Sequence, residues 1–267
     1  MAAAKAVPTS VPVLVTGASS GIGEEFARRF AERGHAVTIV ARRAERLEQL
    51  AEDLRSRYGA TVDVLVADLE TARGRNSVAK LLRERSPWVL VNNAGYGTRG
   101  RLADLDASRE RAEVQLNVVS THDLSLAVLP GLLRAGAGGI INVASTAAFQ
   151  SLPYMATYAA TKAFILHFTE ALAEELRGSG ARAMALCPGP VRTEFSEVAG
   201  VQDYMELARP MSMSAAKCVS TALRAFDRGT AVCVPGPLNS AATLGPRLAP
   251  RVVVRKVTGQ IFRPRSG

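Results

Sequence analysis

The chain of 267 residues is 48% hydrophobic and 21% charged, which is typical of a soluble globular protein. It contains no uninterrupted apolar run approaching the roughly 20 residues that cross a bilayer, and its N-terminus lacks the long apolar core of a signal peptide, so we expect a cytoplasmic protein. Its three cysteines form no CxxC pair and its three histidines share no metal-ligand spacing, which argues against a disulfide framework and a metal site.

The net charge of +9 raises the question of whether the chain binds nucleic acid. Six of its 33 basic residues, and none of its 24 acidic residues, lie in residues 241–267. The first 240 residues therefore hold 27 basic and 24 acidic residues, a net charge of only +3. Because the excess lies in a terminal tail rather than on a folded recognition surface, the pattern disfavours a nucleic-acid partner.

Short apolar runs rich in β-branched residues predict strands at 11–17, 36–41, 61–67, 88–94, 138–144, 181–187 and 231–234. Such continuous runs are typical of parallel strands that are covered on both faces. Helical patterns separate them; Ile22, Phe26 and Phe30, for example, recur with the spacing of one buried stripe. The alternation predicts an α/β fold over residues 1–240: a single-domain, Rossmann-like, doubly wound parallel sheet of about seven strands with helices on both faces. Residues 241–267 form a basic C-terminal tail.

The stretch TGASSGIG at 16–23 joins the first predicted strand to the first predicted helix. Its glycines allow a tight turn and close approach to a ligand, and the helix N-terminus offers free N–H groups to a pyrophosphate. A glycine-rich turn can also be a plain connection. Because a strand precedes it and an amphipathic helix follows, we favour a dinucleotide site. The contacts expected there are Gly17, Ser19, Ser20, Gly21, Ile22 and Gly23.

The end of the second strand indicates which dinucleotide binds. NAD sites usually place an acidic residue there for the ribose 2′-hydroxyl, but this chain reads IVARRAER, with Arg42 and Arg43. Two guanidinium groups can hold a 2′-phosphate through charge-assisted hydrogen bonds. The alternative, that they merely lie at the next helix N-terminus, is unattractive because cations oppose the helix dipole there. We therefore expect NADP(H).

The stretch YMATYAATK places Tyr154, Tyr158 and Lys162 four residues apart, so a helix would put all three on one face. The spacing alone leaves open whether this is an amphipathic seam or a site.

Together these motifs resemble the short-chain dehydrogenase/reductase family over roughly residues 11–234. TGASSGIG is similar to its cofactor turn, NNAG at 92–95 to the motif after its fourth strand, and CPGPVRT at 187–193 to the segment near its nicotinamide. The family's YxxxK pair is matched by Tyr158 and Lys162, and Ser145 precedes Tyr158 by 13 residues, as in the family. The order and spacing of the motifs make the resemblance specific.

The resemblance implies a catalytic set of Asn117, Ser145, Tyr158 and Lys162. Tyr158 would exchange the proton, helped by the Lys162 ammonium, which favours the phenolate. Ser145 would stabilise charge on the substrate oxygen, Lys162 would also bind the nicotinamide ribose, and Asn117 would hold a helix backbone and an ordered water. Tyr154 would either line the substrate entrance or pack half-buried.

The resemblance also assigns cofactor contacts outside the glycine turn. Asp68 would contact the adenine, although it could instead cap the next helix. Besides Tyr158 and Lys162, the remaining expected contacts are Leu69, Asn93, Gly95, Pro188, Gly189, Val191 and Thr193.

The resemblance implies a reversible NADPH-dependent carbonyl reductase, and the apolar residues of a substrate lid at about 190–213 suggest a hydrophobic ketone such as a 3-oxoacyl or steroid-like compound. The main alternative is a catalytically silent dinucleotide-binding scaffold. The long basic tail departs from the usual family C-terminus, which leaves a homodimer through the helices of Asn117 and Tyr158, or a tetramer, open. The tail itself could contact an anionic membrane, pack on the domain as a helix or remain disordered.

Overall fold

A computed structural model describes residues 6–264 of the chain. Its centre is a seven-stranded sheet, all parallel, in the order β3-β2-β1-β4-β5-β6-β7. The strands are β1 (Val13–Thr16), β2 (Val37–Ala41), β3 (Val62–Val66), β4 (Val89–Asn92), β5 (Gly139–Val143), β6 (Arg182–Leu186) and β7 (Val232–Cys233). All seven lie inside the runs predicted from sequence, so the expected sheet is confirmed.

Helices cover both faces of the sheet. In the described residues they are α1 (Gly21–Glu32), α2 (Ala44–Tyr58), α3 (Ala72–Glu84), α4 (Ala107–Val114), α5 (Thr121–Ala135), α6 (Ala156–Glu175), α7 (Phe195–Val198), α8 (Gln202–Leu207), α9 (Ala215–Asp227), α10 (Pro237–Leu248) and α11 (Arg251–Phe262). A π-helical stretch, Gln115–Ser120, joins α4 to α5.

Alternate strand residues feed two hydrophobic cores. On β1, Val13 and Val15 face the core formed with α1, α2 and α9, whereas Leu14 faces the core formed with α3, α5 and α6. The side chains of a strand point alternately to its two faces, so a strand buried on both must be apolar throughout. This explains the continuous apolar runs in the sequence.

The helical stretch Ala107–Ala135 is long and apolar enough, by length and composition, to cross a membrane. More than half of its most apolar window, 56%, is buried inside the protein. Its α5 part contributes Leu124, Val128 and Leu132 to the core. A buried core helix passes the same test of length and composition, so the stretch is weak evidence for a membrane span.

The described part of the C-terminal tail, residues 241–264, folds back onto the domain as helices. The α10 helix runs across the expected boundary at 240, and α11 buries Thr258 and Phe262. The Thr258 hydroxyl donates a 3.0 Å hydrogen bond to the Ser151 carbonyl. Packing against the parent domain, one of the three states left open for the tail, is observed for residues 241–264. Arg265, one of its six basic residues, lies outside the described residues.

Candidate active site

A cavity of about 470 Å³ opens at the carboxyl ends of the strands, beside the neighbouring strands β1 and β4. The chain leaves β1 toward β2 on one side and returns through β4 on the other, and ligands of doubly wound sheets bind at this reversal. One wall is the glycine turn, another is α6, and the cover is formed by α7 and α8. Of the 20 residues predicted for the site, 18 line this cavity; Gly23 and Asn117 lie behind it.

The glycine turn is packed so closely that side chains would not fit. A Cβ on Gly23 would lie 2.3 Å from the Gly17 carbonyl oxygen, and one on Gly17, whose φ is 64°, would lie 2.9 Å from the Ala94 Cα. Gly23 therefore allows α1 to approach β1. The Asn93 side chain fixes the turn by donating to the Thr16 and Gly17 carbonyls, at 2.9 and 3.2 Å. The residues present fit a dinucleotide pyrophosphate.

The two arginines after β2 differ in their partners. Arg43 donates to the hydroxyls of Ser19 and Ser20, at 3.0 and 2.9 Å, so its guanidinium lies directly over the glycine turn. It also pairs with Glu194 of the cover, at 2.9 Å. Arg42 points the other way and pairs with Glu70, at 2.9 Å. Both line the cavity, but Arg43 is the one held against the turn.

Asp68 also lies in the cavity wall. Its carboxylate accepts a hydrogen bond from the Glu70 backbone N–H, at 3.0 Å. The cap of the following helix is instead Thr71, whose hydroxyl accepts from Gly74. The side chain that caps α3 is therefore Thr71 and not Asp68, for which that role was the alternative.

Ser145, Tyr158 and Lys162 meet at the centre of the cavity. Ser145 follows β5 and accepts a 3.1 Å hydrogen bond from the Ala147 backbone N–H. Lys162 donates from Nζ to the Val143 carbonyl oxygen, at 2.8 Å, and lies 5.8 Å from the centroid of the Tyr158 ring. The three side chains come from β5 and α6, which pack against each other, so their geometry is fixed by the core.

Burial dominates the protonation of this group. It raises the pKa of Tyr158 to about 12, against a lowering by its hydrogen bond with Ser145. Burial also lowers the pKa of Lys162 to about 8. The expected lowering of the phenol pKa toward neutral pH is therefore outweighed, because desolvation of the phenolate is the largest effect. Tyr158 keeps its proton at neutral pH.

Asn117 lies fully buried in the π-helical stretch, behind the cavity wall. Its amide donates to the Tyr96 carbonyl and the Thr161 hydroxyl, at 2.9 and 3.0 Å, and its Oδ1 accepts from the Tyr96 N–H at 3.2 Å. It thus joins the loop after β4 to α6 at Thr161, the residue directly before Lys162. The side chain has a positioning geometry.

Tyr154 does not line this cavity. Its φ is 69°, in the left-handed region that tyrosine rarely adopts. Its hydroxyl accepts a 3.0 Å hydrogen bond from Arg263 Nε, beyond the end of α11. The reverse turn of the backbone at Tyr154 takes it off the helix face that carries Tyr158 and Lys162, because α6 begins only at Ala156.

One group near the site that was not predicted from sequence joins the end of α11 to the cover. Phe262 lines the apolar end of the cavity, and its ring centroid lies 4.6 Å from that of Tyr204 in the cover. Arg99 pairs with Asp203 of α8 and donates to the carbonyl of Phe262 at 2.9 Å. The apolar residues interspersed in the tail indicated a possible amphipathic helix, but nothing in the sequence indicated where its apolar face would pack.

A second unexpected group is a buried pair of carboxyls behind Lys162. The Thr98 hydroxyl lies within hydrogen-bond distance of both Glu110 Oε1 and Glu113 Oε2, the latter at 2.9 Å. The hydroxyl has one proton and can donate it to only one of the two carboxylates, so the arrangement favours a proton on the other carboxyl. Burial raises the pKa of Glu113 to about 7, which identifies Glu113 as the proton carrier at mildly acidic pH.

The lid residues are only partly as expected. Phe195, Val198, Val201, Tyr204 and Met205 line the cavity, as do Tyr96, Leu152 and Met155. Leu207 of the lid is exposed, and Phe149 packs in a separate cluster beside Ala148. The cavity end opposite the glycine turn is therefore predominantly apolar.

The comparison with known proteins agrees with this geometry. A family model described as short chain dehydrogenase matches residues 12–202. The chain belongs to the short-chain dehydrogenase/reductase family. It is accordingly an oxidoreductase of a family that binds NAD(P) and acts on small molecules.

Three members of the family illustrate the similarity. Sulfoacetaldehyde reductase 2 of Chromohalobacter salexigens is 38% identical over 190 residues, 70% of this chain and 75% of that protein. A short-chain dehydrogenase from Sphingobium yanoikuyae in complex with NADPH superposes with a TM-score of 0.81 at 36% identity, covering 89% and 93% of the two chains. The bulky-bulky ketone specific alcohol dehydrogenase from Comamonas testosteroni superposes with a TM-score of 0.77 at 32% identity, covering 91% of this chain and 96% of that chain.

Proposed function

We propose that this short-chain dehydrogenase/reductase is an NADPH-dependent carbonyl reductase, reversible as a secondary-alcohol dehydrogenase, acting on a hydrophobic ketone such as a 3-oxoacyl or steroid-like compound. The observation that carries the proposal is one cavity that combines a phosphate-sized glycine turn, the Ser145–Tyr158–Lys162 group and an apolar cover. A scaffold that only binds dinucleotide has no need for the second of these.

Each side chain has a defined role in this scheme. When bound, the reduced nicotinamide supplies the hydride for the carbonyl carbon. Tyr158 donates its phenolic proton to the carbonyl oxygen. Its raised pKa keeps the phenol protonated at neutral pH. The Ser145 hydroxyl donates a hydrogen bond to the same oxygen and stabilises its developing negative charge. Lys162 holds the nicotinamide ribose and lowers the energy of the phenolate, while Asn117 positions α6.

NADP(H) is favoured over NAD(H) by the charge at the end of β2. Arg43 lies over the glycine turn and Arg42 stands beside it, with no acid in the position that would bind the ribose 2′-hydroxyl. The solved relative in complex with NADPH supports the same preference. A 2′-phosphate would compete with Glu194 for Arg43 and with Glu70 for Arg42.

The substrate class is inferred from the apolar end of the cavity. Phe195, Val201, Tyr204 and Phe262 surround the space beyond Tyr158. The Phe195 ring lies 5.4 Å from that of Tyr158. The name of the ketone-specific relative from Comamonas testosteroni supports a bulky ketone.

The experiment is a fluorescence titration with NADPH and NADH, followed by NADPH oxidation with a series of ketones of increasing bulk. Tighter binding of NADPH and turnover of the bulkier ketones are expected. Tighter binding of NADH would overturn the cofactor assignment. Binding of NADPH without turnover of any carbonyl would favour the silent scaffold.

For the assembly we propose a homodimer through α5 and α6, the helices that follow Asn117 and carry Tyr158. Leu126 and Leu133 of α5 and Phe164 of α6 are exposed in the single chain, and Phe164 stacks on Phe168 at 5.7 Å. Exposed apolar residues on adjacent helices are typical of subunit interfaces. Light scattering should give twice the chain mass, and Phe164→Glu should give the monomer mass. Cytoplasmic location likewise remains a prediction.

A further inference from the structure

A second cavity, of about 490 Å³, lies on the outer side of the C-terminal helix. It is bounded by α11, by the turn at Pro153 and Tyr154, and by the loop after β4. Its lining contains no Asp or Glu but includes four cationic side chains, Arg101, Arg255, Lys256 and Arg263. Within residues 6–264 none of these four pairs with a carboxylate. We call this the basic pocket.

One wall of the basic pocket is preorganised by Tyr154. The Tyr154 hydroxyl accepts from Arg263 Nε at 3.0 Å, and the guanidinium carbon lies 6.0 Å from the ring centroid. The Tyr154 carbonyl accepts from the Gly100 N–H at 2.9 Å, which holds the residue in its left-handed conformation. Such a conformation persists only where the surroundings enforce it. The Arg263 side chain is therefore aimed rather than free in solvent.

Arg99 fixes the same wall from the other side. It donates to the carbonyls of Phe262 and Arg263, at 2.9 and 3.0 Å, and its own charge is compensated by Asp203. The end of α11 is thus tied to the domain through a neutralised arginine. The cations of the basic pocket next to it have no such compensation in the described chain.

Four uncompensated cations around one concavity repel one another, and a bound dianion removes that repulsion. Guanidinium groups match phosphate oxygens with paired N–H donors, and lysine adds a point charge. We propose that the basic pocket binds a phosphate monoester or an equivalent dianionic group. This site is separate from the cofactor turn, since Leu152, Met155 and Phe262 face the first cavity while Pro153, Tyr154 and Arg263 face the second.

The phosphate group could belong to a soluble metabolite or to the headgroup of an anionic phospholipid. The structure offers a feature that separates these sources. Val253, Val257 and Ile261 form an exposed apolar stripe on α11, at i, i+4 and i+8, with Lys256 about a quarter turn from the stripe and Arg255 nearly opposite it. A lipid would engage both the stripe and the cations, whereas a soluble phosphate ester would need only the cations.

The first test is a thermal-shift titration with inorganic phosphate against chloride at equal ionic strength. The variant Arg255→Gln/Lys256→Gln is compared with Arg73→Gln/Lys217→Gln, which removes the same charge from exposed positions outside both cavities. We expect phosphate to stabilise wild type and the control, with apparent affinity at least about tenfold lower in the pocket variant. An unchanged response in the pocket variant overturns the proposal. So does a response abolished by Arg43→Gln, since the anion would then occupy the cofactor turn.

The same variants distinguish this proposal from the proposed function, because the pocket variant should bind NADPH as wild type does. Flotation with vesicles of phosphatidic acid or phosphatidylcholine then assigns the source. Binding to phosphatidic acid alone, lost in the pocket variant and in Val257→Ser, supports the lipid headgroup. Phosphate binding without vesicle binding supports a soluble phosphate ester. If neither phosphate nor the vesicles bind, the proposal of an anion site in the basic pocket is overturned.

Discussion

Arg99 and Asp203 form a bidentate ion pair that connects the loop after β4 to the cover of the active-site cavity, with Nη2 and Oδ2 3.0 Å apart. The Arg99 side chain is only 5% exposed, against 31% for Asp203. Arg99 also donates to the carbonyls of Gly200 and Phe262, at 3.1 and 2.9 Å. One side chain therefore holds the cover and the C-terminal helix in a common position.

Replacing Arg99 by Ala should loosen both parts of the substrate wall. We expect a loss of about 2 kcal/mol in the free energy of unfolding, since a largely buried ion pair loses one member while Asp203 retains some solvent. The KM for a bulky ketone should rise about tenfold, with little change in NADPH affinity. Urea denaturation and steady-state kinetics measure the two effects. Arg209→Ala, an exposed change in the same cover, is the control, and equal effects in both variants would contradict the assignment.

Phe262 should set the size of ketone that the enzyme accepts. Phe262→Ala removes a ring that packs on Tyr204 and lines the cavity, so catalytic efficiency should shift toward larger ketones by about tenfold. Some stability should also be lost, about 2–3 kcal/mol, because the site borders a cavity and is not a closed core. Comparing kcat/KM across a ketone series tests this. Ile261→Ala, one residue earlier and exposed, should leave the size preference unchanged.

Glu113 should make stability depend on pH. Folding raises the pKa of its carboxyl from 4.5 to about 7, so the folded state binds this proton more tightly than the unfolded state. The resulting stabilisation is complete below the unfolded pKa and is lost as pH rises through about 7, by at most about 3 kcal/mol. Glu113→Gln should flatten this decline, measured by denaturation between about pH 5 and pH 8.

The exposed change Glu52→Gln is the matched control for Glu113→Gln and should keep the wild-type pH profile. If wild type and Glu113→Gln instead share one pH profile across this range, folding does not raise the pKa of Glu113 and its carboxyl is ionised in the fold throughout. In that case the Thr98 hydroxyl would have to bridge Glu110 and Glu113 in some other way.

The arginines after β2 should carry the preference for NADPH. Arg43→Ala should weaken NADPH binding about tenfold or more while changing NADH binding little, because a charge-assisted contact to phosphate is removed. Arg42→Ala should act in the same direction, and by less, because Arg42 is not held against the glycine turn. Fluorescence titration of both cofactors measures the ratio. An equal loss for NADPH and NADH would remove the 2′-phosphate role.

The sheet was predictable because its signal is local and redundant. The continuous apolar stretch that contains Val13–Thr16 requires burial on both faces, and the glycines after it fit only a close strand–helix turn. Ser145, Tyr158 and Lys162 were predicted from the resemblance of their order and spacing to the family pattern. The structure brings them into one cavity because β5 leads to Ser145 and packs against α6, which carries the other two.

The remaining features depend on contacts between distant parts of the chain. Arg99 meets Phe262 across 163 positions, and no periodicity in either segment encodes that encounter. The direction of the Tyr158 pKa shift was not predictable, because the sequence shows that Lys162 is near but not how deeply both side chains are buried. Tyr154 has the helical spacing in the sequence, but it precedes the start of α6 at Ala156 and has a left-handed backbone conformation.

The most direct test of the account compares Tyr158→Phe with Tyr154→Phe in NADPH oxidation by a ketone that wild type reduces, with NADPH affinity measured in parallel. Tyr158→Phe should lower kcat by at least about a thousandfold with NADPH affinity within about threefold of wild type, since it removes only the proton donor. Tyr154→Phe should keep kcat within about threefold of wild type, since the Tyr154 hydroxyl contacts Arg263 and does not line the active-site cavity. Full activity in Tyr158→Phe, or inactivation by Tyr154→Phe alone, would contradict the proposed chemistry.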